Sequence, residues 1–192
     1  MFRQLRRRED GVTIVEFAFV APVLILFVTG LLEIGYILFA RSTLESAVLA
    51  ASREARVSPC PNDVASAVET RLQDRMSVIM SVDDEPAALT VESYSSNFGD
   101  VGNPEPFDDV NDNGTRDPGE SYTDTNGNGE WDEDMGLSGD FGGFGDVVRF
   151  TASQDVPSLF PFFANTVTDG QPHYTLTAVT VVRNEPFTDE TC

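Results

Sequence analysis

Residues 12–40 read VTIVEFAFVAPVLILFVTGLLEIGYILFA, and the reading of this stretch decides the architecture. Phe17 to Leu32 holds no charged residue, and only Glu16 and Glu33 interrupt the longer run. A helix rises about 1.5 Å per residue, so this segment crosses a hydrocarbon core of about 30 Å with residues to spare. Arg3, Arg6, Arg7 and Arg8 precede it. Basic residues at the end of a span stay cytoplasmic, which is expected to put the C-terminal bulk outside.

Two residues at the start of the run bear on its fate. Gly11 sits between the charged head and the apolar segment, and Glu16 follows five residues later, inside it. A carboxylate at membrane depth costs about 2.5–3.5 kcal/mol on insertion scales and is a functional candidate by default. A glycine at the membrane edge offers a protease an unencumbered backbone. Three readings compete: a cleaved signal peptide, an uncleaved signal anchor, and a prepilin leader. The run is long for a signal peptide, and no small-x-small cleavage site follows promptly. The pattern RRREDG-VTIVEF resembles the type III signal of type IV prepilins. That resemblance implies a cut by a membrane prepilin peptidase between Gly11 and Val12, with the apolar helix retained. Glu16 would then stand about one helical turn from a new α-amino group. It could pair with that of a neighbouring subunit and fix the axial register of packed helices. The alternative for Glu16 is an interfacial residue reaching towards headgroups.

The stretch VEFAFVAPVLILFVTGLLEIGYILFARSTLESAVLAASREAR is similar over its whole length to the N-terminal helix of TadE-like proteins. These have a G-x-x-x-x-E-F start, an early proline, a second intramembrane glutamate and an alanine-rich continuation. Pro22 and Glu33 occupy the middle two features. Pro22 removes one backbone hydrogen bond, which membrane helices tolerate. Glu33 is read either as a packing partner or as an interfacial residue. Beyond the span, Leu44, Val48, Ala51 and Ala55 share one helical face, which predicts a single helix from about Val12 to Arg56.

The rest of the chain predicts an α+β domain. Ser58-Pro59-Cys60-Pro61-Asn62 breaks the helix. Asn62 or Asp63 is the expected cap of a second helix over 63–77, with Val64, Val68, Leu72 and Met76 on one face. Residues 87–95, 146–153 and 173–183 are strand-like, and VPSLFPFFANT between the last two reads as an apolar connection over the core. The expected organisation is a leader at 1–11, a transmembrane helix at 12–36 and an extracytoplasmic domain at 37–192. Within that domain lie a helical extension at 37–56, an acidic insert at about 98–146 and C-terminal strands over 146–185, forming an antiparallel sheet against the helix. The ending TAVTVVRNEPF resembles the C-terminal strand of TadE-like proteins, with Arg183, Asn184 and Glu185 read as a structural turn. Cys60 and Cys192 are the two cysteines, and outside the cytoplasm such a pair is expected to be bridged. Two free thiols or a bond to a partner subunit are the alternatives.

The formal net charge is −20, there is no lysine, and residues 98–146 hold fourteen acids against Arg116 alone. Such acidity opposes nucleic-acid binding. Within this region EPFDDVNDNGTRDPG (105–119) is followed by ESYTDTNGNGEWDED (120–134), a repeat with a 15-residue period. Each unit contains D-x-N-x-N-G-x-x-D, the spacing of a calcium loop, in which alternate residues turn oxygens inward around one ion and glycine permits the sharp turn. The expected ligands are Asp109, Asn111, Asn113, Thr115 through its carbonyl, Asp117 and Glu120. In the second loop they are Asp124, Asn126, Asn128, Glu130 through its carbonyl and Asp132. Met135 falls at the twelfth position there, so Asp134 or another acid must substitute. Pro118 and Gly119 lie inside the first loop and no amphipathic helix follows either unit, so the resemblance is to dockerin-like extracellular loops. The plain alternative is an acidic insert full of Asn-Gly turns.

No G-x-S-x-G, H-E-x-x-H or phosphate loop occurs, so an enzyme is not expected. The resemblance implies a pseudopilin or minor pilin of a Tad-type (Flp-type) pilus, acting in assembly, adhesion and biofilm formation. Its partners would be inner-membrane assembly machinery, prepilin peptidase and other pilins, with one or two structural Ca²⁺ ions. The competing reading is an uncleaved, membrane-anchored calcium-binding protein outside any filament.

Overall fold

The structure, a computed structural model, describes residues 10–57, 61–95, 97–163 and 171–185. Its first element, α1, is one helix from Asp10 to Val57, with Pro22 inside it. Forty-eight residues make it about 72 Å long. Side chains from Ile14 to Leu32 are exposed or half-exposed throughout, large apolar ones included. This part of α1 is long and apolar enough to cross a membrane. Its sequence favours helix there because, apart from the one bond that Pro22 removes, intrahelical hydrogen bonds satisfy the backbone groups that lipid cannot.

From Ala40 onward the same helix enters the core. Ala40, Leu44, Ala47, Val48, Ala51 and Ala55 are buried. Spaced at three and four residues, they lie on one stripe. The four alanines of that stripe let the backbone of α1 come close to its neighbours. A second helix, α2 (Pro61–Met76), packs on it through Val64, Val68, Leu72 and Met76. Here the expected boundary shifts: Asn62 and Asp63 are helical, and the helix opens on Pro61 instead. Proline suits a first helical position, since its missing N–H would be unpaired there anyway. Short 3₁₀ turns follow at Val82–Asp84 and Phe98–Asp100.

The sheet is antiparallel with strand order β2-β1-β3-β4: β1 is Ala88–Tyr94, β2 Leu137–Ser138, β3 Val147–Pro157 and β4 His173–Arg183. Phe150 faces Val91 on β1 and Thr180 on β4, which fixes the central register. Along β3, Val148, Phe150, Ala152, Gln154 and Val156 turn inward, the period-two pattern of a sheet with one covered face. That face meets α1. The acidic insert leaves the end of β1 and returns through β2, so it hangs from one end of the sheet. The β3–β4 connection hangs from the other. The prediction of an α+β domain with a long apolar N-terminal helix, a second helix and an antiparallel sheet is borne out. Cys60 and Cys192 lie outside the described residues, as do residues 1–9 of the leader.

Leu72 is fully buried between the helices while Glu69, on the same helix, is exposed. Leu72→Ala should lower unfolding stability by about 2–5 kcal/mol. Glu69→Ala should stay within about 0.5 kcal/mol. Urea unfolding of the detergent-solubilised chain, followed by circular dichroism, checks both.

Candidate assembly helix and candidate metal centre

Gly11 and Val12 lie in the first turn of α1. Glu16 follows on the exposed part of the helix, flanked by exposed Val15 and Phe17, and has no hydrogen bond or ion pair to another described residue. Among the described residues nothing satisfies this carboxylate, which leaves water, lipid headgroups or another chain as partners. Glu33 is in the opposite situation. It is 2% exposed and accepts from Ser158 Oγ at 2.6 Å and from the Phe160 N–H at 3.1 Å. Of the two readings offered by its sequence position, the packing one holds.

The repeat at 105–134 folds into two loops with closely similar, though not identical, internal wiring. In the first, Asp109 accepts from the N–H groups of Asn113 and Gly114, at 3.1 and 2.7 Å. Asn111 and Asn113 both direct amide N–H groups to Asp117 Oδ2, at 2.7 and 2.8 Å. In the second, Asp124 accepts from Gly127 and Gly129 at 2.6 and 2.9 Å. Asn126 and Asn128 converge on Asp132 Oδ2 at 2.8 and 2.6 Å. Gly114 and Gly129, the sixth residues, have φ of +76° and +85°, a conformation costly for any side chain with a Cβ. Thr115 and Glu130 follow, their N–H groups held by Asn113 and Asn128.

The twelfth position is where the structure departs from expectation. Glu120 closes the first loop: Oε1 accepts from Val110 N and Oε2 from Asp117 N, both at 2.9 Å. In the second loop the corresponding N–H groups, of Thr125 and Asp132, are taken by Glu105, at 2.6 and 3.3 Å. Each loop is therefore closed by the glutamate heading the other unit. A local two-fold relation passes between Phe107 and Tyr122, which form an antiparallel bridge. Around it Asp108 N donates to Ser121 O and Thr123 N to Pro106 O, at 2.9 and 2.8 Å. A small aromatic cluster backs the pair. Trp131 stands edge-on to Phe107 and donates from Nε1 to Glu105 O at 3.0 Å, while the Arg116 guanidinium lies over Tyr122 and Trp131.

Asp134, the expected substitute ligand, is directed elsewhere. It pairs with Arg149 of β3 and accepts from Tyr94 Oη at 2.9 Å, and Arg149 also holds Glu92 at 2.6 Å. These contacts staple the insert to the sheet. Burial pushes the Tyr94 hydroxyl well up, and the Asp134 hydrogen bond adds to that. For Asp134 itself burial works upward, but hydrogen bonds from Tyr94, Arg149 and Gly136 outweigh it and hold the carboxyl below its ordinary value. Asn184 has a comparable anchoring task at the end of β4. Its amide donates to Phe141 O and Gly143 O, at 2.8 and 3.1 Å, which ties the end of the strand to the close of the insert.

With this geometry in place, the helix can be compared with known families. Residues 11–53 match the family described as TadE-like protein. The match begins on Gly11, spans the exposed apolar part of α1 and ends inside its buried part; it does not extend to the acidic loops or to β4. It supports a TadE-like assignment and an association with the Tad pilus. No curated protein and no solved structure matches the chain.

Because Asp134 is held below its ordinary pKa, its contribution to stability is complete above about pH 4 and is lost as pH falls through its lower native value. Asp134→Asn should lower the unfolding midpoint at neutral pH and flatten its fall across that acid window. Thermal melts between pH 2 and 7 measure this.

Proposed function

We propose that this chain is a minor pilin or pseudopilin of a Tad-type pilus, cut by prepilin peptidase after Gly11 and seated in the bacterial inner membrane with its domain on the outer side. The observation that carries the reading is the uncovered apolar length of α1, bearing the lone acid Glu16, within a segment that matches TadE-like proteins. Such a surface calls for lipid before assembly and for like helices after it. Cleavage would place the Val12 amine near the carboxylate of a neighbouring subunit. In low dielectric that pair offsets part of two desolvation costs, which makes it a register device. The size of the folded domain favours a minor subunit that takes part in assembly and adhesion.

The loop pair adds a structural role for calcium. Each loop carries three carboxylates and two asparagine side chains: Asp109, Asn111, Asn113, Asp117 and Glu120 in one, Asp124, Asn126, Asn128, Asp132 and Glu105 in the other; among the described residues no three acids converge as they stand, so an ion would have to draw them together. This is the all-oxygen donor set a hard cation requires. The two amide N–H groups now aimed at Asp117, and at Asp132, lie on side chains that present a carbonyl oxygen after rotation. Thr115 and Glu130 would contribute main-chain oxygens. A bound ion supplies positive charge among crowded carboxylates and so orders the insert. Glu105 replaces Asp134 in this assignment, and its complete burial fits a closing ligand.

Mass spectrometry of the chain made with and without prepilin peptidase should find a mature N-terminus at Val12 only with the enzyme. Glu16→Gln should leave that cleavage intact and reduce incorporation into surface pili severalfold. Undiminished incorporation refutes the assembly role, and an unprocessed chain favours the simple anchor.

Calcium should raise the melting temperature and change Trp131 fluorescence with half-effect near 0.1–1 mM, as for extracellular modules. At ten to a hundred times its Kd an ion stabilises by about 1.4–2.7 kcal/mol per site. Glu105→Gln should weaken the response, whereas Asp134→Asn should preserve it. A titration that moves neither signal removes calcium from the account.

A further inference from the structure

The connection leaving β3 at Pro157 turns back onto α1 at one defined level. Ser158 and Phe160 donate to the two oxygens of Glu33, and the Phe163 ring lies against Gly30, where an added Cβ would meet it at 3.4 Å. Phe163 N donates to Phe160 O at 2.9 Å and Ser158 N to Pro172 O at 3.0 Å, which closes the segment into a hook. The Tyr174 hydroxyl lies beside the same Glu33–Ser158 pair. Glu33 is therefore shared between helix and hook, and neither can shift without exposing a carboxylate that has lost its donors.

The level of that attachment is set by the helix. Measured from Val12 at about 1.5 Å per residue, Gly30 lies about 27 Å and Glu33 about 32 Å along α1. A hydrocarbon core of about 30 Å that begins at Val12 ends between them. The hook must occupy the same depth, because it is bonded there. Its composition suits that position: residues 156–163 carry no charge, Leu159 is 38% exposed and Phe162 is 67% exposed. Elsewhere the domain is strongly acidic and has no electrostatic attraction to a leaflet. Glu33, at a depth where an unsatisfied carboxylate is costly, receives the Ser158 hydroxyl and the Phe160 N–H from this hook.

We infer that residues 158–163 form a second membrane contact, with Leu159 and Phe162 resting at the boundary between headgroups and acyl chains of the outer leaflet beside α1. The occupant of this apolar surface is phospholipid, since the surface is continuous with the lipid-facing side of the span. Two attachments rather than one then fix the height and tilt of the domain. The inference rests on the membrane reading of α1 and is independent of cleavage or filament assembly.

The test uses the full chain in nanodiscs of zwitterionic phosphatidylcholine, one chain per disc, with and without brominated acyl chains. Trp131 is the only tryptophan and sits in the insert, which hangs from the other end of β3, a strand of 11 residues about 36 Å long. It serves as the aqueous reference. Phe162→Trp and, separately, Leu159→Trp add a probe on the hook. Blue-shifted added emission that loses about half or more of its intensity in brominated discs, while the Trp131 parent is unaffected, is the expected result. Chains that co-elute with discs but show no more quenching than the parent in either variant overturn the hook contact and leave the span standing. Chains that do not co-elute with discs overturn both.

Discussion

One helix has to satisfy two solvents, and the rest of the structure follows from how α1 does so. Its first part presents large apolar side chains all round, as a lipid-facing helix must. Its second part narrows to a single stripe of Ala40, Leu44, Ala47, Val48, Ala51 and Ala55. Burial of that stripe by α2 and the sheet supplies the hydrophobic free energy that small alanines alone could not, because Leu72, Phe150 and Val148 pack into the space they leave. The changeover falls at Glu33. It is the last charge before the helix leaves the apolar run, and it is neutralised in hydrogen-bonding terms by the chain that follows β3.

Much of this was legible in the residues because the signals were periodic. Leu44, Val48, Ala51 and Ala55 share a face at helical spacing, as do Val64, Val68, Leu72 and Met76, and both faces are buried where the spacing puts them. The β-branched run at 173–183 marks β4 to the residue. Single-residue decisions were less legible. Asn62 and Asp63 look like caps, yet Pro61 competes for the start of the same helix. The dual character of VPSLFPFF, part strand and part hook, could not be read locally, because its position depends on a bond to Glu33, 125 residues away.

The acidic insert shows a subtler limit. Local counting from Asp124 reaches Met135 and calls for a neighbouring acid, which made Asp134 the natural candidate. Tertiary electrostatics decided otherwise: the half-buried Arg149 guanidinium needed carboxylates, and Asp134 and Glu92 are the two within reach. The signal for the residue that does close the second loop was nonetheless present in the repeat. Glu105 aligns with Glu120, and if two copies pair about a two-fold relation, whatever one glutamate does for one loop the other must do for its counterpart. Cross-closure also means that neither loop is complete alone, so the insert behaves as one unit.

The continuity of α1 has a mechanical consequence. Between the lipid-facing part and the core-facing part no glycine-rich linker or loop intervenes; Asp10 to Val57 is a single hydrogen-bonded rod. A pull along its axis is carried by the helix backbone and by the side chains gripping it, not taken up by slack in a tether. A twist imposed on the embedded end likewise turns the whole domain with it. Wherever neighbouring helices fix that end, they also dictate which side of the domain faces outward.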